Sequence, residues 1–258
     1  ASAAAATVIA QTVSLVFCLF RLRRVPFMRL GREDFRLDRA RSARLLKLGA
    51  PISAQNAIIA VGGMIVQTVV NPMGVSFIAG YTATNKMYGL LETSAISYGF
   101  AITTYTGQNL GAKRPDRIRS GVRAGLAAGI VTALGVTAVM LGFGRGILSL
   151  FIERSGAEAL DIAAEFLRIM AACLPILYVL YIYRSALQGL GNTVTPMLSG
   201  LMEFFMRTGS ALLLPGLIGH SGVFWAEVLA WFGADLLLVP KYYGMMRRMK
   251  PAGTRGAP

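Results

Sequence analysis

The sequence is poor in the side chains on which most enzyme chemistry depends. Among 258 residues there are one histidine and two cysteines. Cys18 and Cys173 lie far apart, each inside an apolar run and without C-x-x-C spacing. That pattern excludes a disulfide scaffold and a zinc ligand set. H-E-x-x-H, G-x-x-x-x-G-K-[ST] and G-x-S-x-G are all missing, so no metalloprotease, nucleotide-driven pump domain or serine hydrolase is encoded. No catalytic residue, metal ligand or cofactor is therefore expected. Charge is also scarce, at 15% of residues, where soluble domains carry about 25%. Acidic residues are scarcer than basic ones, 12 Asp and Glu against 26 Lys and Arg.

What the chain has in quantity is apolar sequence: 55% hydrophobic residues and a mean hydropathy of +0.57. A helix needs about 20 predominantly apolar residues to cross a hydrocarbon core of about 30 Å. Seven such runs are present, at about 1–20, 48–71, 76–105, 120–143, 164–188, 194–215 and 223–244. Continuous runs satisfy their backbone only as helices, whereas barrel strands would alternate over about ten residues. The expected fold is an all-α, polytopic membrane helical bundle. The start, ASAAAATVIA, enters an apolar stretch directly and has its basic residues after it, so it reads as a segment of a longer protein rather than a signal peptide.

Cations mark one side of the membrane. Ten Lys and Arg lie between Arg21 and Lys47, five between Lys113 and Arg123, and five from Lys241 onward. The opposite connections, NPMGVS, the stretch holding Glu153, Glu158, Asp161 and Glu165, and LIGHSG, are neutral or acidic. Basic residues are retained on the cytoplasmic side, which places the C-terminus in the cytoplasm of a plasma (inner) membrane protein. The net charge of +14 is thus topological and calls for the lipid bilayer, with its anionic headgroups, as partner rather than nucleic acid. Four segments are expected: a transmembrane helix over 1–20, a cytoplasmic loop with an interfacial helix over 21–47, a six-helix bundle over 48–250, and a tail over 251–258. Gly49 and Pro51 mark the start of the second span.

Ionisable residues inside spans cost a few kcal/mol each and by default mark a pathway. Lys86 and Glu92 lie in the third span, Arg184 in the fifth, Glu203 and Arg207 in the sixth, and Glu227 and Asp235 in the seventh. At a rise of 1.5 Å per residue, Glu203 and Lys86 lie about 15 Å deep. Glu203 and Arg207 share a helix face at i, i+4, and a short connection brings Glu227 close. These three are expected to form one buried polar cluster, either a transport element or a clamp between two helices. Arg184, near the end of its span, is expected to snorkel to the interface. Glu92 and Asp235 are expected to cap helix contacts. Gln55, just after Pro51, and Asn85 add polarity along the same pathway. His220 is expected in a solvated outer loop.

Two segments carry a resemblance. ITTYTGQNLGAKRPDRIRSGVRAG closes the third span, and YRSALQGLGNTVTPMLSGLMEFFMR joins the fifth to the sixth. With LGAPISAQN and AEVLAWFGAD, they make the chain similar to the multidrug and toxic compound extrusion (MATE) family from Gly49 to about Arg248. The resemblance implies the second six-helix lobe of a two-lobe secondary antiporter, preceded by the last helix of the first lobe. It implies export of drugs or other small organic, often cationic, compounds in exchange for H+ or Na+, with the N-terminal lobe as the missing partner; one lobe alone is expected not to transport. Two lobes of six helices would share one orientation, as parallel repeats do. Acidic residues that bind the coupling cation in a well-studied branch of the family align with Ile59 and Leu177, so those acids are replaced. The resemblance therefore leaves coupling to other groups, in the absent lobe or in the Glu203, Arg207, Glu227 cluster, where a shift of Arg207 relative to Glu203 would turn motion into proton affinity. A lipid-linked oligosaccharide flippase of the same superfamily, with Lys86, Arg184 and Arg207 meeting a pyrophosphate, and a non-transporting membrane subunit are the competing readings.

Overall fold

A computed structural model describes residues 2–25, 38–152 and 156–249. The expected tail over 251–258, most of the first long loop and Glu153 lie outside the described residues. The described residues form helices without a strand, and they divide into two compact units, residues 1–46 and 47–258. In the first unit, α1 (Ser2–Arg23) is a single apolar helix closed by Arg21 and Arg23, with the Arg24 guanidinium 4.9 Å over the Phe20 ring. α2 (Arg39–Val70) begins where Asp38 Oδ1 accepts hydrogen bonds from the Ala40 and Arg41 amides. It continues past Pro51 without a break, so residues 39–47 prolong the same helix.

The remaining elements are α3 (Val75–Gly111), α4 (Pro115–Leu148), α5 (Ala157–Ala172), α6 (Leu174–Gly189), α7 (Val194–Leu213), the single turn α8 (Pro215–Ile218) and α9 (Ser221–Arg248). A 3₁₀ turn over Asn71–Met73 and Gly74, at φ 97, connect α2 to α3. Among the described residues, five helices are long and apolar enough to cross a membrane, and α5 with α6 supplies a sixth as a bent pair. The 37-residue α3 does not meet that test. Its Thr, Ser, Tyr, Asn, Lys and Glu residues dilute an otherwise apolar run.

The expected fifth span, 164–188, is broken. α5 and α6 meet at 50° around Cys173. Pro175 has no amide hydrogen for the carbonyl of Ala171, four residues back. Thr137 of α4 supplies a donor instead, its hydroxyl 2.6 Å from that carbonyl. The bend is thus stabilised from a neighbouring helix.

Small residues let the backbones close. A Cβ on Gly189 of α6 would lie 2.7 Å from the Thr103 carbonyl oxygen of α3, and one on Gly80 of α3 would lie 2.5 Å from the Ala159 carbonyl of α5. Thr103 and Thr84 each donate a hydroxyl across a helix interface, to the Ser185 and Ala163 carbonyls at 3.1 and 3.0 Å. This is the packing expected where lipid gives no hydrophobic drive between helices. Around it lies a core that includes Phe166, Tyr178, Phe224 and Trp231. The Phe166 and Phe224 rings stack at 4.5 Å.

The ALQGLGN motif is a helix stop. Gly191 adopts φ 79, a conformation that costs a residue with Cβ. It lets the Gly191 and Asn192 amides turn back onto the Gln188 and Leu187 carbonyls, at 2.9 Å each. Asn192 Oδ1 then accepts from the Thr195 amide at 3.1 Å, anchoring the start of α7. The motif fixes the register between α6 and α7, and with it the placement of Arg184 and Glu203.

Candidate functional site

Five helices enclose a cavity of about 200 Å³ in the bundle. α2 contributes Ile59; α3 contributes Tyr88 and Glu92; α6 contributes Leu177, Leu180, Tyr181 and Arg184; α7 contributes Glu203 and Arg207; α9 contributes Glu227 and Trp231. The expected cluster of Glu203, Arg207 and Glu227 is therefore assembled around one space, but its pairing differs from the sequence reading. Arg207 pairs with Glu227 across α7 and α9 at 2.9 Å. Glu203 pairs with Arg184 of α6 rather than with Arg207 one turn away. Both partners of the Arg184–Glu203 pair are almost fully buried.

Arg184 corrects the snorkelling expectation. It is 7% exposed and points into the bundle. Helical side chains lean toward the N-terminus of their helix, so a residue near the end of α6 reaches inward. An unpaired guanidinium would not persist there, and the Glu203 carboxylate makes the position tolerable.

Glu92 is the residue whose role the sequence reading understated. It is half-buried and has no basic partner within ion-pair distance among the described residues. Its Oε1 accepts from the Tyr181 hydroxyl at 2.7 Å and the Tyr88 hydroxyl at 3.1 Å. Tyr88 in turn stacks on Trp231, centroids 5.8 Å apart. Tyr88 stands one turn before Glu92, an i, i+4 pair visible in the sequence, whereas Tyr181 comes from another helix. The lining carries three carboxyl groups, Glu92, Glu203 and Glu227, and two guanidinium groups, Arg184 and Arg207. With all five ionised the cavity holds one negative charge more than it balances.

The other sequence candidates lie outside this lining. Lys86 is exposed and borders an open groove with Thr82, Phe151 and Ile152, on another part of α3. Gln55 is buried against Gly200 of α7, where a Cβ would lie 2.8 Å from its Cγ. Asn85 is half-buried. Asp235 is buried, with Oδ1 lacking a hydrogen-bond partner. His220 immediately precedes α9 and is exposed, its Nε2 3.3 Å from Glu165 Oε2. Ile59 and Leu177, the positions aligned with acids in the resembling branch, both face the cavity. The polar side chains lining that space come from other positions, on α3, α6, α7 and α9.

Comparison with known proteins agrees with the helical fold. The MatE family sequence model matches residues 51–209. The chain is 24% identical over 255 residues to the probable multidrug resistance protein YoeA of Bacillus subtilis, covering 95% of this chain and 54% of the relative. It is 26% identical over 229 residues to YpnP, another probable multidrug resistance protein of B. subtilis, covering 86% of this chain and 50% of that one. The chain thus spans about half the length of the curated relatives it matches. Among solved structures, the outward-facing conformation of a multidrug resistance MATE family transporter superposes with a TM-score of 0.85 at 18% identity, over 95% of this chain and 55% of that one. A MOP superfamily transporter from Pyrococcus furiosus, described as having a binding pocket of reverse polarity, gives 0.83 at 17% identity, over 93% and 54%. With a family match over more than half the sequence, the assignment follows: the chain belongs to the MatE family.

Proposed function

We propose that this chain forms the second lobe, with one preceding helix, of a two-lobe antiporter in the plasma (inner) membrane. The whole protein exports small organic, often cationic, compounds in exchange for H+ or Na+, and its C-terminus is cytoplasmic. The basic connections between the spans support that orientation. The observation that carries the reading is the excess carboxylate in the cavity. Arg184 and Arg207 are each matched by a glutamate, while among the described residues Glu92 is held by two phenolic hydroxyls and by no cation. A carboxylate so placed takes up a cation reversibly, because binding a proton or a sodium ion removes the unbalanced charge.

The cavity's size separates coupling from cargo. At about 200 Å³ it is smaller than the roughly 300–1,000 Å³ of small-molecule sites. It suits an inorganic cation or a proton with water, and the organic substrate then occupies a chamber completed by the other lobe. The flippase reading is not favoured: both cavity arginines are already neutralised by carboxylates, and Lys86 lies elsewhere. Little positive charge is left in this cavity for a pyrophosphate.

The test is efflux of a fluorescent organic cation by the full-length protein, driven separately by imposed H+ and Na+ gradients. Glu92→Gln is expected to lower efflux at least tenfold under whichever gradient drives the wild type, with expression unchanged. Wild-type coupling in that variant would remove Glu92 from the mechanism.

A further inference from the structure

A second cavity, of about 310 Å³, opens where α4 begins and α9 ends. Its polar lining consists of Arg119, Arg123 and Arg247 with Tyr183, Tyr242 and Tyr243. No carboxylate lines it, and none of the three arginines forms an ion pair among the described residues. The acid on the same end of α4, Asp116, is taken by Arg114 at 2.9 Å. Asp235 stands seven residues before Tyr242 on α9, about 10 Å further into the bundle. Three positive charges therefore share one recess without a compensating carboxylate among the described residues.

The recess is organised rather than merely basic. Arg119 donates to the Met246 carbonyl and, at 3.4 Å, to the Met249 carbonyl, so it closes the end of α9 and is held by it. The Tyr183 and Tyr243 hydroxyls bond each other at 3.0 Å. Tyr242 stands between them, its ring 5.2 Å from Tyr183 and 5.4 Å from Tyr243 in edge contacts. It is only 3% exposed, yet its buried hydroxyl has no hydrogen-bond partner. A phenol without a partner, in a recess with three guanidinium groups and no carboxylate among the described residues, is short of one thing, an anionic oxygen. A buried donor left unmade is costly, and native structures rarely keep one without cause.

We propose that this recess binds a phosphate group, supplied by the headgroup of an anionic phospholipid at the membrane surface. Arg123 and Arg247 present planar forks that match phosphate oxygens two at a time. Tyr242 donates its hydroxyl from the floor, and Arg119 lends its charge while holding α9. Basic pockets between membrane helices on the cytoplasmic side are where anionic headgroups are recognised. The site is separate from the Glu92 cavity and shares no lining residue with it. A free phosphate ion has the same chemistry, so the two sources must be separated experimentally.

The experiment uses the full-length protein in detergent, stripped of lipid. Phosphatidylglycerol, phosphatidylcholine and inorganic phosphate are titrated in parallel, read by melting temperature and by retained adducts in native mass spectrometry. Phosphatidylglycerol is expected to bind and raise the melting temperature, and phosphatidylcholine to do neither. The double variant Arg123→Gln, Arg247→Gln is expected to weaken phosphatidylglycerol binding at least tenfold. Both side chains are exposed, so its lipid-free melting temperature should match the wild type. Tyr242→Phe, which removes one oxygen, is expected to weaken binding severalfold. Lys241→Gln, a neighbouring exposed cation outside the recess, serves as the control and is expected to leave binding unchanged. Binding of inorganic phosphate without phosphatidylglycerol would overturn the lipid assignment. Equal weakening by Lys241→Gln and the arginine variant, or none by either, would overturn the site itself.

Discussion

Arg184 and Glu203 stand nineteen residues apart in sequence and on different helices, yet their charged ends meet in the bundle interior. The pair is possible because Gly191 and Asn192 turn the chain between α6 and α7. Removing one partner leaves an uncompensated buried charge. Arg184→Met is therefore expected to destabilise the protein by about 3–5 kcal/mol, and Arg184→Met with Glu203→Met to recover most of that loss. Thermal melting of the full-length protein in detergent measures both. A double variant as unstable as the single one would show that the pair is not what holds these side chains in place.

Glycine positions give a contrast within one family of substitutions. Gly189→Ala would push a methyl group against the Thr103 backbone carbonyl, which cannot rotate away. It is expected to cost about 1–3 kcal/mol. Gly135 on α4 has nothing within 4 Å of its would-be Cβ, so Gly135→Ala should be neutral or stabilise by up to about 1 kcal/mol. Melting temperatures of the two variants, compared side by side, decide whether close α3–α6 approach is a real constraint.

The bend at Cys173 offers a third comparison. Thr137→Val deletes the hydroxyl that reaches the Ala171 carbonyl and is expected to destabilise by about 1 kcal/mol, whereas Thr137→Ser keeps the donor and should stay near wild type. If valine and serine behave alike, the carbonyl has another source of satisfaction.

Much of this molecule could be read from its letters, for identifiable reasons. Apolar runs report helices because lipid leaves the backbone no other partner, and the cost of burying charge singles out Glu203, Arg207 and Glu227 from the sequence alone. Pairing was less legible. Spacing i, i+4 suggested Glu203 with Arg207, but both side chains turn outward from that shared face to partners on α6 and α9. Only the packing of helices sets such choices. Arg184 was misplaced because counting from a helix end ignores the backward lean of helical side chains. Glu92 was visible as a charge within a span, but Tyr181, which completes its setting, lies 89 positions along the chain. The break at Cys173 had a signal in Pro175, whereas its relief by Thr137 had none.

The angle between α5 and α6 bears on how insertions and deletions would act. A residue added to a helix rotates everything beyond it by about 100°. Added within α6 before Arg184, it would swing that guanidinium off the cavity wall and strand Glu203. Added within α5, the same rotation meets a joint that already lacks continuous hydrogen bonding, where a local change of twist can be absorbed before Leu177 is reached. Length variation across relatives should therefore collect on the α5 side of the joint, leaving the stretch from Pro175 to Gly189 at constant length.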